Sequence, residues 1–124
     1  LKGLGSNGNI RNDLAEAERL YLESMAIMRE IGDRHGEGAL LENLGDISWH
    51  RNDLGEAERL YRESMAIRRD IGDRQGEATS LMSLGDIALG NGNMDERHRY
   101  YTEAVQIYRE IGIPIDQWFI DNGY

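Results

Sequence analysis

Cysteine is absent from the 124 residues of this chain, which excludes disulfide bonds, thiolate zinc sites, iron–sulfur clusters and thiol nucleophiles. Apolar runs are also far shorter than the roughly 18 residues that a membrane span needs. No signal-peptide pattern follows Leu1, and the lack of an initial methionine suggests a fragment or a processed chain. Together these absences favour a cytoplasmic protein.

Basic residues are outnumbered, with 14 Lys and Arg against 23 Asp and Glu and a formal net charge of -9. A surface of that sign repels phosphate backbones and anionic lipid, so we expect neither nucleic acid nor a membrane as a partner. Apolar residues make up 40% and charged residues 30%, and the two classes alternate along the chain. We therefore expect one compact unit that folds in water.

A repeat of 40 residues dominates the sequence. Residues 51–90 match residues 11–50 at 27 of 40 positions without a gap. A shorter third copy covers residues 91–112, and residues 1–10 keep a remnant, because Leu4-Gly5 lies 40 residues before Leu44-Gly45. A fixed period of this length indicates stacked units. The predicted organisation is a repeat array over residues 1–112 and a capping tail over residues 113–124.

Each unit is predicted to contain two helices, A and B. Apolar residues at spacings of three and four give each helix one stripe to bury, and a glycine ends each helix B. Helix A is expected to run to about His50 or Gly90. The predicted capping residues are Asp33 and Asp73 for helix A, and Asp13, Asp53 and Asn93 for helix B.

Neither helix of a pair can bury its apolar stripe alone, so neighbouring pairs must stack. The predicted fold is therefore an all-α solenoid of stacked antiparallel helix pairs. Gly45 and Gly85 fall in the middle of helix A, where glycine costs roughly 1 kcal/mol relative to alanine. We expect these glycines at points where another backbone crosses closely.

The pattern of large, small and aromatic residues resembles the tetratricopeptide repeat (TPR) family. The matching residues are Leu41, Leu44 and Gly45 in helix A and Ala17, Tyr21 and Ser24 in helix B, repeated 40 positions later as Leu81, Leu84, Gly85, Ala57, Tyr61 and Ser64. The period exceeds the family's usual length of about 34 and resembles a longer variant found in regulatory scaffold proteins. The resemblance covers about residues 1–112 and implies a right-handed α-solenoid that mediates protein–protein interaction.

No catalytic or metal-binding group stands out in the sequence. His35, His50 and His98 each occur in one copy only, and none is placed with a nucleophile and an orienting group. The glycines of residues 3–8 neither follow a strand pattern nor precede the Lys-Ser/Thr of a phosphate-binding loop. We therefore expect no enzyme activity, no cofactor and no metal site.

Helix A is acidic, because residues 35–50 and 75–90 contain no Lys or Arg. In the resembling family helix A lines a concave groove, and grooves that clamp a C-terminal carboxylate use Lys and Arg there, so that ligand is not expected. By the register of that family, the residues expected to face the groove are Glu42, Asn43, Asp46, Trp49, His50, Thr79, Met82, Ser83, Asp86 and Leu89.

The leading prediction for the groove is a protein or peptide segment with basic or amide groups. Asp46 and Asp86 would bind these groups, with Trp49 and Met82 as apolar anchors. The alternative interpretation is an acidic face that only keeps the protein in solution.

The two ends of the array suggest a second function. An open solenoid exposes apolar surface unless a polar unit caps it, and the helix predicted at 14–31 lacks a partner because residues 6–9 disfavour a helix. At the other end Pro114 is predicted to begin a short helix. Ile115, Trp118 and Phe119 then either fold over the last helix B or dock onto another molecule. The alternative function is a structural module that forms a homodimer or swapped assembly through its ends.

Overall fold

The computed structural model describes residues 7–124, with side chains from residue 11, and every regular element in that range is a helix. Helix A of the repeat corresponds to α2 and α4, and helix B to α1, α3 and α5. The starts of α2 and α4 lie 40 residues apart, at Arg34 and Arg74. The six helices are α1 Asn7–Ile31, α2 Arg34–His50, α3 Leu54–Asp70, α4 Arg74–Gly90, α5 Met94–Ile111 and α6 Gln117–Asp121.

Short polar side chains cap the four helices from α2 to α5. Asp33 and Asp73 each accept a hydrogen bond from the N–H three residues on, at 2.8 and 2.9 Å. Asp53 and Asn93 cap α3 and α5 in the same way, at 3.2 and 3.1 Å. At its other end α5 stops at Gly112, whose left-handed φ of 77° costs glycine little. The predicted limits of these helices are confirmed.

The first helix differs from its prediction. It begins at Asn7 and runs through Asp13, so Asp13 caps no helix and the predicted start at residue 14 is wrong. In the later copies a left-handed residue before the cap, Asn52 at φ 60° or Gly92 at φ 73°, reverses the chain out of helix A. Residues 11 and 12 remain helical instead, and the added turn places the carbonyls of residues 7–10 where they can accept from the N–H groups of residues 11–14. Most of the remnant predicted at 1–10 lies outside the described residues.

The helices stack in chain order, with α1 against α2, α2 against α3, α3 against α4 and α4 against α5. Connections of two or three residues make these neighbours antiparallel. Buried side chains form two clusters, one around Leu41 and one around Leu84. Ser64 is fully buried and donates to the backbone carbonyl of Gly38 at 2.7 Å, so α2 and α3 lie close together there. The all-α solenoid is confirmed, and its handedness stays a prediction.

The glycines in the middle of α2 and α4 do mark close approaches, although not of another backbone. A Cβ on Gly45 would lie 2.6 Å from the ring carbon Cε1 of Tyr61, and one on Gly85 would meet the ring of Tyr101. The expected backbone crossing is therefore corrected to an aromatic ring packed against the helix at the glycine. Because the ring reaches across helix A, its hydroxyl emerges beside the groove.

The C-terminal residues lie on α5. Asp116, rather than Pro114, starts α6, since its carboxylate accepts from the backbone N–H of Trp118 at 2.8 Å. The expectation for Pro114 is corrected, because Pro114 precedes the helix. Around the Tyr101 ring lie Trp118 at 6.1 Å, Phe119 at 5.2 Å and Tyr124 at 5.7 Å between centroids. The division of the chain into an array and a capping tail stays a prediction.

Candidate functional site

A pocket of about 190 Å³ opens between α2, α3 and α4. Its lining includes four of the predicted groove residues and one aromatic residue from helix B. The short turns between consecutive helices place α2 and α4 on the same side of the stack, which brings their acidic faces together. The residues lining the pocket are Asp46, Trp49, Tyr61, Ser83 and Asp86.

Each aspartate of the groove is held by a tyrosine of the following helix B. The Tyr61 hydroxyl donates to Asp46 Oδ1 at 2.5 Å, and the Tyr101 hydroxyl donates to Asp86 Oδ1. Burial and the neighbouring carboxylate raise the pKa of both phenols well above the usual range. The tyrosines therefore remain donors at physiological pH and fix the position of one oxygen of each aspartate.

Among the described residues, the two groove aspartates lack the cationic neighbours that most glutamates have. Arg69 pairs with Glu77 at 2.7 Å and with Glu103 at 3.0 Å, and most other glutamates of α3 and α5 also face arginines. Among the described side chains, no Lys, Arg or His nitrogen lies within 4.0 Å of Asp46 or Asp86. Loss of water in the groove wall raises the pKa of Asp86, although the Tyr101 hydrogen bond opposes that rise.

Glu42 departs from the expectation that it lines the open groove. It is only 8% exposed and accepts from Ser80 at 3.0 Å, Ser83 at 2.7 Å and Arg68 at 3.3 Å. Burial raises the pKa of Glu42, while the two serines and Arg68 oppose the rise. Since its oxygens link α2 to α3 and α4, Glu42 holds the stack together and is not free to bind a ligand.

The remaining predicted groove residues lie outside the pocket lining. Asn43 and Met82 are half-buried, and Met82 packs against the main core cluster. His50, Thr79 and Leu89 are exposed. The structure thus gathers Asp46, Trp49, Ser83 and Asp86, and it does not gather the other six.

Tyr61 is the pocket residue that sequence reasoning missed. Its place on the apolar stripe of helix B predicted only a core residue, and its ring is indeed 3% exposed. A signal was present in the spacing, because Tyr61 follows Asp46 by 15 residues and Tyr101 follows Asp86 by the same number. Because an Asp in helix A and a Tyr in the following helix B recur at the same separation in both copies, the pair predicts a hydrogen bond more specifically than either residue alone.

Comparison with known proteins assigns the family. A sequence profile described as tetratricopeptide repeat matches residues 4–70 and again residues 38–110. The chain belongs to the tetratricopeptide repeat family. TPR units generally mediate protein–protein interaction, while no curated protein matches this TPR chain. In residues 7–124, none of the TPR helices is long and apolar enough to cross a bilayer.

Proposed function

We propose that this TPR module binds a partner protein by taking an arginine or lysine side chain between Asp46 and Asp86. The observation that carries the proposal is the pair of exposed carboxylates, each oriented by a tyrosine and neither paired with a cation from the part of the chain that the structure describes. A bound basic side chain would supply the missing positive charge.

The chemistry of the pocket favours arginine in particular. One oxygen of each aspartate accepts from a tyrosine, which leaves the second oxygen for an external donor. A planar guanidinium offers five N–H donors and can bond carboxylates on two sides. Trp49 is 36% exposed at the pocket, and its indole face can attract the same cation. An amide group could use the same acceptors, although without the charge.

The test is a titration followed by the fluorescence of Trp49, in a Trp118→Phe background so that a single indole reports. The probe is a pool of short peptides, each with one arginine among neutral residues. We expect Asp46→Asn with Asp86→Asn to weaken binding at least about tenfold, the loss of roughly 1.4 kcal/mol. Conversion of both aspartates to asparagine keeps the shape of the pocket while removing its charge.

A matched control distinguishes binding in the groove from nonspecific attraction of a basic peptide to a negatively charged protein. Asp70→Asn with Asp95→Asn removes the same two charges from exposed positions on α3 and α5. Binding to this control should stay within about twofold of the parent, because exposed charges are largely screened. If both double variants lost peptide affinity equally, the acidic face would only keep the protein in solution, and the groove would not be the binding site.

A second candidate function, self-association through the N-terminal end, has its own observation. Leu20 and Ile27 of α1 are 47% and 53% exposed, whereas their counterparts Leu60 and Ile67 in α3 are each 8% exposed. That end of the stack therefore presents an apolar stripe, which a second copy could cover. Light scattering over a concentration series distinguishes the two functions, since a strict monomer favours the groove and a tight dimer favours the ends.

A further inference from the structure

A second pocket of about 350 Å³ lies between α1 and α3, and residues of α2 complete its lining. Among the described residues, its lining shares none with the pocket of the acidic groove. Its buried floor is apolar, while its more exposed rim carries Arg29, Arg59 and Glu63 together with Leu22, which is 53% exposed. The apolar lining consists of Leu22, Met25, Leu41, Leu44 and Leu60.

The repeat provides an internal comparison for this pocket. The space between α1 and α3, called the first interval here, has its equivalent 40 residues later between α3 and α5, the second interval. Most lining positions are identical there, since Leu81 and Leu84 repeat Leu41 and Leu44. Two positions differ. Tyr100 stands where the first interval has Leu60, and Arg62 stands where it has Leu22.

The two differing residues contact each other in the second interval. Tyr100 is 7% exposed, and its ring belongs to the core cluster. Arg62 Nη2 donates to the Tyr100 hydroxyl at 3.0 Å, and the Arg99 guanidinium lies 5.1 Å from the ring centroid. An aromatic ring thus occupies this interval in one copy, while the other copy has leucines at both positions and a pocket.

We propose that the pocket between α1 and α3 binds an apolar aromatic side chain, that of a phenylalanine, from a partner protein. The floor is apolar, and Arg59, the counterpart of Arg99, lies at the rim, where it can contact a ring face. Leu22 replaces the arginine that bonds the Tyr100 hydroxyl, so a phenol would leave its hydroxyl without that donor. An unsubstituted ring therefore fits better than tyrosine.

The size of the pocket and the contents of the chain support this occupant. An engineered cavity of about 150 Å³ lined by aliphatic and aromatic side chains is large enough to bind benzene, and this pocket is larger. A second copy of the chain is a poorer source of the ring, because Phe119 is its only phenylalanine and packs 5.2 Å from Tyr101 within the same chain.

Toluene is the probe for this site, followed by amide and methyl chemical shifts in an NMR titration of the full chain. We expect shifts to concentrate at Leu22, Met25 and Leu60. Leu60→Tyr combined with Leu22→Arg transplants the natural Arg62 and Tyr100 pair into the pocket, so the variant should fold normally. It should lose toluene binding by at least about tenfold.

The matched gain-of-binding variant is Tyr100→Leu, which removes the ring from the second interval. It should acquire a toluene site whose shifts centre on Leu81 and Leu84. For ligand preference, Leu22→Arg alone should raise affinity for p-cresol relative to toluene several-fold, because it restores a donor for the hydroxyl.

Three results would overturn the proposal. Toluene could leave the spectrum of the parent chain unchanged, or bind the transplanted double variant as well as the parent. The parent could also be a dimer that the double variant converts to a monomer in light scattering, which would make a second copy the occupant. A Tyr100→Leu chain that fails to fold does not weaken the test, because the parent and the transplanted variant decide it.

Discussion

Replacing Gly45 by alanine should destabilise the stack, although alanine is the better helix former. The added Cβ would lie 2.6 Å from the Tyr61 ring, closer than carbon atoms approach in folded proteins. Tyr61 is 3% exposed and has little room to move aside. Its displacement would also break the hydrogen bond to Asp46, which ties this packing contact to the geometry of the groove.

The expected change in the free energy of unfolding combines one stabilising and two destabilising contributions. Alanine gains about 1 kcal/mol of helix propensity over glycine. Overpacking a filled site costs about 1 to 3 kcal/mol, and a hydrogen bond to a charged acceptor contributes about 1.5 kcal/mol or more. We therefore expect Gly45→Ala to lower the free energy of unfolding by about 2 kcal/mol, and the equivalent Gly85→Ala to behave similarly.

Urea denaturation followed by circular dichroism measures this change, and Gly55→Ala is its matched control. Gly55 lies in α3 with nothing within 4 Å of its Cβ position, and the first repeat already has Ala15 there. The control should therefore gain about 0.5 to 1 kcal/mol. If Gly45→Ala stabilised the protein as Gly55→Ala does, the ring would not be packed on the glycine and the reasoning would fail.

Two further predictions use the same denaturation assay. Asp53→Ala should cost about 1 kcal/mol because it removes the cap of α3, whereas Asp13→Ala should cost nothing, since Asp13 lies inside α1; equal losses would restore a helix start at residue 14. Burial raises the pKa of Glu42 above its ordinary value of 4.5, so the folded chain binds that proton more tightly than the unfolded chain. In the folded chain the ionised Glu42 carboxylate is therefore less favourable than its protonated form. As the pH falls through the raised pKa, the parent should gain stability relative to Glu42→Gln. A constant difference from neutral pH down to the ordinary pKa would contradict the burial of this charge.

The repeated part of the sequence predicted most of the fold. The limits of α2 and α4 and the starts of α3 and α5 follow from local chemistry, because a capping side chain and a left-handed glycine or asparagine act within one turn of the helix. The start of α1 could not be predicted in this way. Asp13 has the cap signal in its sequence, but Asn12 remains helical, whereas Asn52 reverses the chain.

The site was less predictable, since side-chain direction and burial depend on several helices at once. The register of the resembling family placed Asp46 and Asp86 in the groove, and the lack of basic residues in helix A predicted its acidic character. Glu42 also lies in the acidic helix A, but its carboxylate is buried in the interface between helices instead of facing the open groove. There it accepts a hydrogen bond from Ser80 of α4, two helices further along the chain. The role of Tyr61 required knowing that its ring crosses Gly45 and ends at Asp46.

The two pockets of this module depend on positions that the copies share and on positions where the copies differ. Positions shared by the copies, such as Leu44 and Leu84, build the same core contact twice. Positions that differ change what each interval can hold, because Leu60 leaves an open pocket where Tyr100 supplies a ring. Neighbours on α3 also serve separate surfaces, since Leu60 lines the apolar pocket while Tyr61 lines the acidic groove. Helix α3 therefore lines both of the surfaces that we propose for recognition, which have opposite chemistry, and a partner with both a basic and an aromatic side chain could engage both.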